Sequence, residues 1–309
     1  MPSKAKKRVD ICVATYKRPE LLAALLESIQ EMEIPEGFEI SVIVIDNDRN
    51  RTAETVVDSV LGGGTLSYQY DVQPEQNIAL TRNKALDHAK GEYAAFVDDD
   101  ETVEKDWLGA LLRTKERFEA DVVFGPVIAQ YPIDTPEWIK KGRFFERHRF
   151  KTGTVVHRGG TGNALVDLES GKLNPSIRFD SRYGLSGGED AELFFRLRNR
   201  GCKFVWSDKA VVYETVIRER MNVAWLLRRA FRGGQTTARI HNQPAFTHTK
   251  LLWFIIRIGL LGIAITAALL ALPFGKPYWV LAARKVMSNA GQLSIVFVEN
   301  YFQEYGEKR

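Results

Sequence analysis

Asp98, Asp99, Asp100 and Glu101 stand in an unbroken row at the end of the apolar run Tyr93-Ala94-Ala95-Phe96-Val97. Four carboxylates this close cannot all be ionised and buried without a partner, because desolvation and mutual repulsion both oppose it. A hard divalent cation supplies that partner: Mg²⁺ or Mn²⁺ favours one or two carboxylates together with substrate phosphates. A second acidic pair, Glu189-Asp190, follows Gly187-Gly188 and opens an apolar pattern of helical spacing. A carboxylate there can accept a proton as a general base. The blander alternative is two acidic helix starts, one before a helix over residues 103–117 and one at a helix over 191–200, since acids favour helix N-termini. Four acids in a row exceed what a cap requires, and Gly187-Gly188 permits close approach of a ligand.

The elements that must position these groups read as an alternation. Residues 9–15 form a continuous apolar strand, followed by Lys17-Arg18-Pro19-Glu20 with Pro19 in a helix's first turn. Leu21, Leu22, Leu25, Leu26 and Ile29 then repeat at helical spacing. Residues 40–45 are a second strand ending at Asp46-Asn47-Asp48; 52–61 are helical and broken by Gly62-Gly63-Gly64; 66–70 are a third strand. Residues 77–90 form another helix, closed by Gly91 before the strand that ends at Asp98. Apolar strands alternating with helices predict an α/β domain, a parallel sheet covered on both faces. Strand ends at Thr15-Tyr16, Asp46 and Asp98 then meet along one edge, where open α/β sheets bind ligands. A nucleotide-sized crevice is expected there. No GxGxxG or GxxxxGK[ST] occurs, so neither a Rossmann dinucleotide site nor a P-loop is expected.

Further on, residues 120–131 read as one long strand through Gly125-Pro126, and 203–206 and 210–213 as short strands. Gly159-Gly160-Thr161-Gly162-Asn163 is a turn before Ala164-Leu165-Val166. The net charge of +4 conceals an asymmetry: residues 218–309 hold 13 basic and 4 acidic side chains, and the first 217 hold 30 and 35. An acidic body with a basic tail argues against nucleic acid and suits an anionic membrane surface. From Met221, Val223, Leu226, Leu227, Ala230 and Phe231 line one side of a helix and Arg228, Arg229 and Arg232 the other, until Gly233-Gly234 interrupts it. Residues 251–272 carry one charge, Arg257. As a helix they would measure ~33 Å at ~1.5 Å per residue, against a hydrocarbon core of ~30 Å. Arg218, Arg220, Arg239 and Lys250 add to a basic flank that the positive-inside bias places on the cytoplasmic side; a buried core helix is the alternative. Cys12 and Cys202 stand alone and read as reduced, buried and cytosolic. Lys4, Lys6, Lys7 and Arg8 precede no apolar stretch of signal-peptide type.

The segments Val13-Ala14-Thr15-Tyr16-Lys17-Arg18-Pro19, Val44-Ile45-Asp46-Asn47, Asn77-x4-Arg82-Asn83, Phe96-Val97-Asp98-Asp99-Asp100-Glu101 and Gly187-Gly188-Glu189-Asp190 resemble, in order and spacing, the family 2 inverting glycosyltransferases of GT-A fold. The resemblance covers roughly residues 8–217. Trp107, Gly125-Pro126-Val127, Ser186 and Arg228-Arg229-x-Phe231-Arg232-x-Gly234-Gln235-Thr236 extend it to the succinoglycan-biosynthesis glucosyltransferases of the ExoM type. Together with the charge and hydropathy pattern it divides the chain into three regions: a GT-A domain over 1–217, a basic amphipathic juxtamembrane segment over 218–250 and hydrophobic membrane-associated helices over 251–309. It also implies transfer of one sugar from a UDP-sugar to a polyprenyl-diphosphate-linked saccharide, at the cytoplasmic face of a bacterial inner membrane.

Carried over, the resemblance gives Asp46 to the uracil N–H and Thr15, Tyr16 and Arg18 to the nucleotide. Arg82 would face the phosphates or Asp98. Asp98 and Asp99 would hold the ribose and order the metal, and Asp100 would bind Mg²⁺ or Mn²⁺. Asp190 would be the general base, with Glu189 orienting it or the acceptor, and Asn163 beside the donor sugar. Arg228, Arg229 and Arg232 would grip the acceptor's diphosphate. The Gln-x-x-Arg-Trp motif of processive members is absent, which favours single-sugar addition. Two rivals remain. Residues 96–102 also fit the nucleophile signature of haloacid-dehalogenase-type phosphatases, with Asp98 as nucleophile, and a catalytically inactive membrane scaffold is the non-enzymatic reading.

Overall fold

A computed structural model describes residues 6–172, 177–241, 247–297, 301–303 and 305. Lys4, the stretch 242–246 of the juxtamembrane segment, the Lys250 side chain and residues 298–300, 304 and 306–309 lie outside the described residues.

Continuous apolar runs make the central strands. β1 (Lys7–Thr15), β2 (Phe38–Asp46), β3 (Ser67–Val72) and β4 (Tyr93–Asp98) pair in parallel in the order β3-β2-β1-β4. Between them run α1 (Pro19–Gln30), α2 (Glu54–Leu61) and α3 (Ile78–His88). The register sets Thr15 opposite Asp46 and Ala14 opposite Asp98, so the ends of three strands share one edge. Beyond β4 the sheet turns mixed. β5 (Glu101–Val103), α4 (Trp107–Phe118), β6 (Val122–Phe124), β7 (Val127–Gln130), α5 (Glu137–Gly142), β8 (Asn163–Asp167), α6 (Glu189–Asn199), β9 (Phe204–Trp206) and β10 (Val212–Thr215) follow in the chain. β8 lies antiparallel between β4 and β6, β9 closes the seven-stranded sheet, and β5, β10 and β7 form a second sheet of three. One core holds Leu22, Leu25, Val57, Trp107 and Leu111 against one face of the large sheet; a second holds Ala79, Phe96, Phe124, Phe179, Phe194 and Leu197 against the other. That is the two-sided cover the apolar strands required.

Two expectations change. The acidic row does not cap a helix: Glu101–Val103 is a strand, α4 starts only at Trp107, and no side-chain hydrogen bond caps it among the described residues. Residues 120–131 are two strands in two sheets, because Gly125-Pro126 breaks the ladder where Pro lacks an N–H.

The chain divides into two compact units. The first comprises Met1–Ala129, Arg147–Thr215 and Tyr305–Arg309; the second comprises Gln130–Glu146 and Val216–Glu304. The long segment Arg147–Thr215 of the first unit gives way to the second at Val216, and α5 groups with the C-terminal helices. These are α7 (Val223–His241), α8 (Thr247–Leu270) and α9 (Lys276–Ser294). Gly233-Gly234 does not interrupt α7. A Cβ on Gly234 would overlap the Ser288 carbonyl and one on Gly291 the Phe231 carbonyl, so these glycines let α7 and α9 touch backbone to backbone.

Candidate active site

The first unit gathers the acidic row and the Glu189-Asp190 pair through one buried arginine. Asn77 caps α3, its side chain accepting from Ala79 and Leu80 N–H, and so fixes which face of that helix points inward. Arg82 lies on that face. Its Nη2 donates to Asp98 Oδ1 at 2.8 Å and its Nη1 to Glu189 Oε1. Burial opposes charge on Arg82, yet Glu189 and Asp98 hold its guanidinium above the ordinary value. Asn83, next in sequence, clamps residue 179 by accepting from its N–H at 2.8 Å and donating to its carbonyl at 2.9 Å.

Arg18, just before α1, serves the other side of the row. Its Nη1 donates to Asp99 Oδ1 at 3.2 Å and to Asp100 Oδ2 at 3.3 Å, and Thr15 Oγ1 donates to Asp99 Oδ2 at 2.8 Å. Thr15 is thus a support for Asp99. Tyr16 is half-buried beside them, and Lys17, with φ +52°, stacks its ammonium 5.0 Å from the Tyr16 ring. A lysine in the left-handed region marks local strain at the strand end. Burial pushes the Asp99 carboxyl up to about 6 against the pull of Arg18, with Asp100 adding to the rise.

Glu101 faces the small sheet, opposite Glu214 of β10, and Arg147 pairs with Glu214. Its Oε2 accepts from the Asp98 N–H at 3.0 Å, while Oε1 is buried without a hydrogen-bond partner among the described residues. Burial, then the nearby Asp98, raises its carboxyl well above the usual range. A Cβ on Gly162 would come within 2.6 Å of Glu101 Oε1 and 3.2 Å of Asp98 Oδ2, and one on Gly160 within 2.9 Å of Asp190 Oδ2. At Gly160 and Gly162 the loop before β8 therefore lies beside three of the acids with no side chain of its own in the way.

Gly187 and Gly188 take φ of +74° and +93°, which a side chain would resist, and turn the chain into α6. Glu189 then points inward to Arg82, whereas Asp190 stays half-buried, its Oδ1 accepting from the Ala191 N–H at 2.7 Å. Burial pushes Glu189 up to about 7 against the pull of Arg82, and its Oε2 has no hydrogen-bond partner among the described residues.

Two residues expected at the ligand have partners within the protein. Asp46 is fully buried and latches its own turn: Oδ1 accepts from Asp48 N–H, and Oδ2 accepts from Ala53 N–H and the Tyr70 hydroxyl. Asn163 is likewise spent inside the protein. Its Oδ1 accepts from Trp107 Nε1 at 2.9 Å, and its Nδ2 donates to the carbonyls of Pro126 and Ala210. Asn163→Ala is expected to cost about 2–4 kcal/mol, three lost hydrogen bonds leaving buried groups unpaired, with donor KM unchanged in whatever folds. Urea unfolding checks this; a raised KM at full stability would return Asn163 to the sugar site.

Arg228, Arg229 and Arg232 are carried by α7 in the second unit; Arg228 is exposed, and Arg229 lies 5.1 Å from the Trp225 ring. Tyr305 was not anticipated. Its N–H donates to the Leu185 carbonyl at 3.0 Å, just before the glycine pair, and its phenol is close enough to act electrostatically on both Arg18 and Arg82. A lone tyrosine in a polar tail carries no sequence signal of that position.

Among the described residues, no group of three or more His, Cys, Asp or Glu side chains could hold a metal ion alone. Asp98, 37% exposed at its side chain, and Asp100, buried in the turn after β4 and paired with Arg18, remain as two carboxylates at this edge. That donor set fits a cation such as Mg²⁺ held jointly with phosphates.

The raised carboxyls fix a pH dependence. A folded value above the unfolded one means the fold binds the proton more tightly, so the stabilisation is complete below about pH 4 and lost as pH rises through about 6 for Asp99 and about 7 for Glu189. The melting temperature of the metal-free protein is therefore expected to fall between pH 5 and pH 8, and Glu189→Gln to lessen the upper part of that slope, to which the raised Glu101 also contributes. An unchanged slope in the variant, followed by scanning calorimetry, contradicts this.

The family model described as Glycosyl transferase family 2 matches residues 10–169. Among curated proteins, the succinoglycan biosynthesis protein ExoM of Rhizobium meliloti is 36% identical over 301 residues, 97% of this chain and 96% of that protein. The GalNAc(5)-diNAcBac-PP-undecaprenol beta-1,3-glucosyltransferase of Campylobacter jejuni is 25% identical over 44% of this chain and 43% of its own. Among solved structures, the mannosyltransferase PcManGT of Pyrobaculum calidifontis, in complex with GDP-Man and Mn²⁺, superposes with a TM-score of 0.67 at 19% identity, over 96% of this chain and 88% of that one. Residues 1–349 of TarS from S. aureus, in complex with UDP, give 0.54 at 17% identity over 97% of each chain.

Proposed function

The chain belongs to glycosyl transferase family 2 and has the GT-A fold, and from that premise we propose that it is an inverting, metal-dependent transferase. It moves one hexose, glucose or another, from a UDP-sugar to a polyprenyl-diphosphate-linked saccharide during bacterial exopolysaccharide synthesis. The phosphatase reading of Asp98 falls with the family assignment. The observation that carries the proposal is the two-part site: Asp98 and Asp100 on one side, Glu189-Asp190 on the other, joined through Arg82.

Each part has a task. Asp98 and Asp100 would hold Mg²⁺ or Mn²⁺, which would supply charge neutralisation for the leaving nucleoside diphosphate. Arg18 and Thr15 keep Asp99 in place behind them. An acceptor hydroxyl oxygen attacks the anomeric carbon as the bond to the phosphate oxygen breaks on the opposite face. Its proton passes to Asp190, the half-buried acid of the pair. Glu189, held by Arg82, fixes the turn from which Asp190 projects.

The donor and acceptor rest on the relatives. TarS is seen with UDP, the Campylobacter enzyme's name gives an undecaprenol-PP-linked acceptor, and the Rhizobium protein is named for succinoglycan biosynthesis. Arg228, Arg229 and Arg232 are suited to an acceptor diphosphate, for which the guanidinium fork is well matched. Leu252–Leu270 is long and apolar enough to cross a membrane. Together with the basic flank it would hold the protein at the cytoplasmic face of the inner membrane. A screen of radiolabelled UDP-sugars with membranes supplying lipid-linked acceptor tests the reading. Label entering the organic phase with one donor is expected; release of free sugar alone, with every donor, contradicts it.

A further inference from the structure

α8 is apolar around most of its circumference. Leu252, Ile263 and Leu270 are 60%, 68% and 68% exposed, Ala264 is buried, and α8 packs on α9. A helix apolar on nearly every side and uncovered by protein belongs in lipid. Its neighbours decide how it lies there. The short turn Leu272–Phe274 leads straight into α9, which packs along both α8 and α7, and Phe254 near the start of α8 meets Phe297 just past the end of α9. So α8 keeps company with α9 from one end to the other.

Polar elements cover α9 at both ends. At its start α5 lies against it, with Lys276 over Trp138 at 4.1 Å, and Phe144, just past α5, meets Arg284 at 5.7 Å. Glu137 of α5 and Arg143 beside it are 88% and 75% exposed at their side chains. Towards its other end α9 meets α7, where Gln235 donates to Ser294 Oγ at 3.0 Å and which carries Arg228, Arg229, Arg232 and Arg239. A spanning α8 would drag one of these charged layers into the hydrocarbon, where ions are strongly disfavoured.

We infer that α8 lies along the membrane within one leaflet and does not cross the bilayer. The inference rests on the membrane association proposed above. The occupant of the exposed face is an anionic lipid monolayer. Arg257 over Trp253 at 5.6 Å, Lys141 over Tyr278 at 5.5 Å and the Lys276–Trp138 pair set cations beside aromatic rings, the combination that anchors at headgroup level. Leu272 and Phe274, 54% and 72% exposed, extend the apolar surface past the end of α8.

Sidedness tests it with the full chain. Ile34→Cys, at an exposed position of the first unit, reports which face carries the catalytic body, and Lys276→Cys reports the far end of α8. Cys12 and Cys202 are buried and contribute little background. In membrane vesicles sealed with either face outward, a membrane-impermeant maleimide is expected to label both positions from the same side. Labelling of Lys276→Cys only from the opposite side means that α8 spans, and overturns the inference while leaving the membrane reading intact. A bimane on Ile263→Cys is expected to be quenched more by lipids labelled near the headgroup than by those labelled at the chain end; the reverse order also overturns it. Full-length protein that stays soluble without detergent, as a dimer with Ile263→Cys shielded, removes the membrane reading itself.

Discussion

Asp190→Asn is expected to lower turnover by about 10²–10⁴-fold, the contribution typical of a positioned general base, while leaving nucleotide affinity unchanged. The substitution is nearly isosteric, and the amide oxygen can still accept from the Ala191 N–H that the carboxylate now engages at 2.7 Å. The turn made by Gly187 and Gly188 and the Arg82–Glu189 pair do not depend on it. What is lost is the capacity to take the acceptor's proton at neutral pH. Steady-state kinetics read a fall in kcat with donor KM held, and calorimetry reads the UDP affinity directly. A large loss of UDP binding would move Asp190 into the donor site and leave the base unassigned.

Asp100→Ala is expected to abolish transfer, by about three orders of magnitude or more, because the several kcal/mol of charge stabilisation supplied by the cation go with its ligand. The fold should not suffer. Arg18 now divides itself between Asp99 and Asp100, and the Asp100 charge adds to the rise of the Asp99 carboxyl. Removing Asp100 leaves Arg18 to Asp99 and relieves like-charge crowding, so the metal-free melting temperature is expected to stay or rise. Activity that survives at saturating Mn²⁺ would contradict the metal assignment.

The sheet was legible because its central strands are unbroken apolar runs, and a one-letter pattern suffices to place residues 9–15, 40–45 and 93–97. The row Asp98–Asp100 was legible as chemistry because no ordinary structural need explains so many acids together. Orientation was not legible. Asp46 and Asn163 sit in the right stretches, yet a sequence does not say that their polar atoms are already taken by Ala53, Tyr70, Trp107 and two carbonyls. For Arg82 the resemblance supplied Asp98 as a partner, but not that Glu189, more than a hundred residues away, closes on the same guanidinium once Asn77 fixes the inward face. Gly233-Gly234 reads as a helix breaker, because local propensity carries no record of α9 pressing its backbone there. Tyr305 reaches the site from the last residues of the chain, a separation no local pattern bridges.

The central claim is that one sugar passes from a nucleotide to an acceptor hydroxyl by single, in-line displacement, with Asp190 taking the proton. The anomeric configuration of the product tests it most directly. With an α-linked UDP-hexose as donor and purified full-length protein, NMR of the saccharide released from the lipid is expected to show one new β-linked residue. An α-linked product would mean retention, and with it a mechanism that this pair of carboxylate sites does not perform.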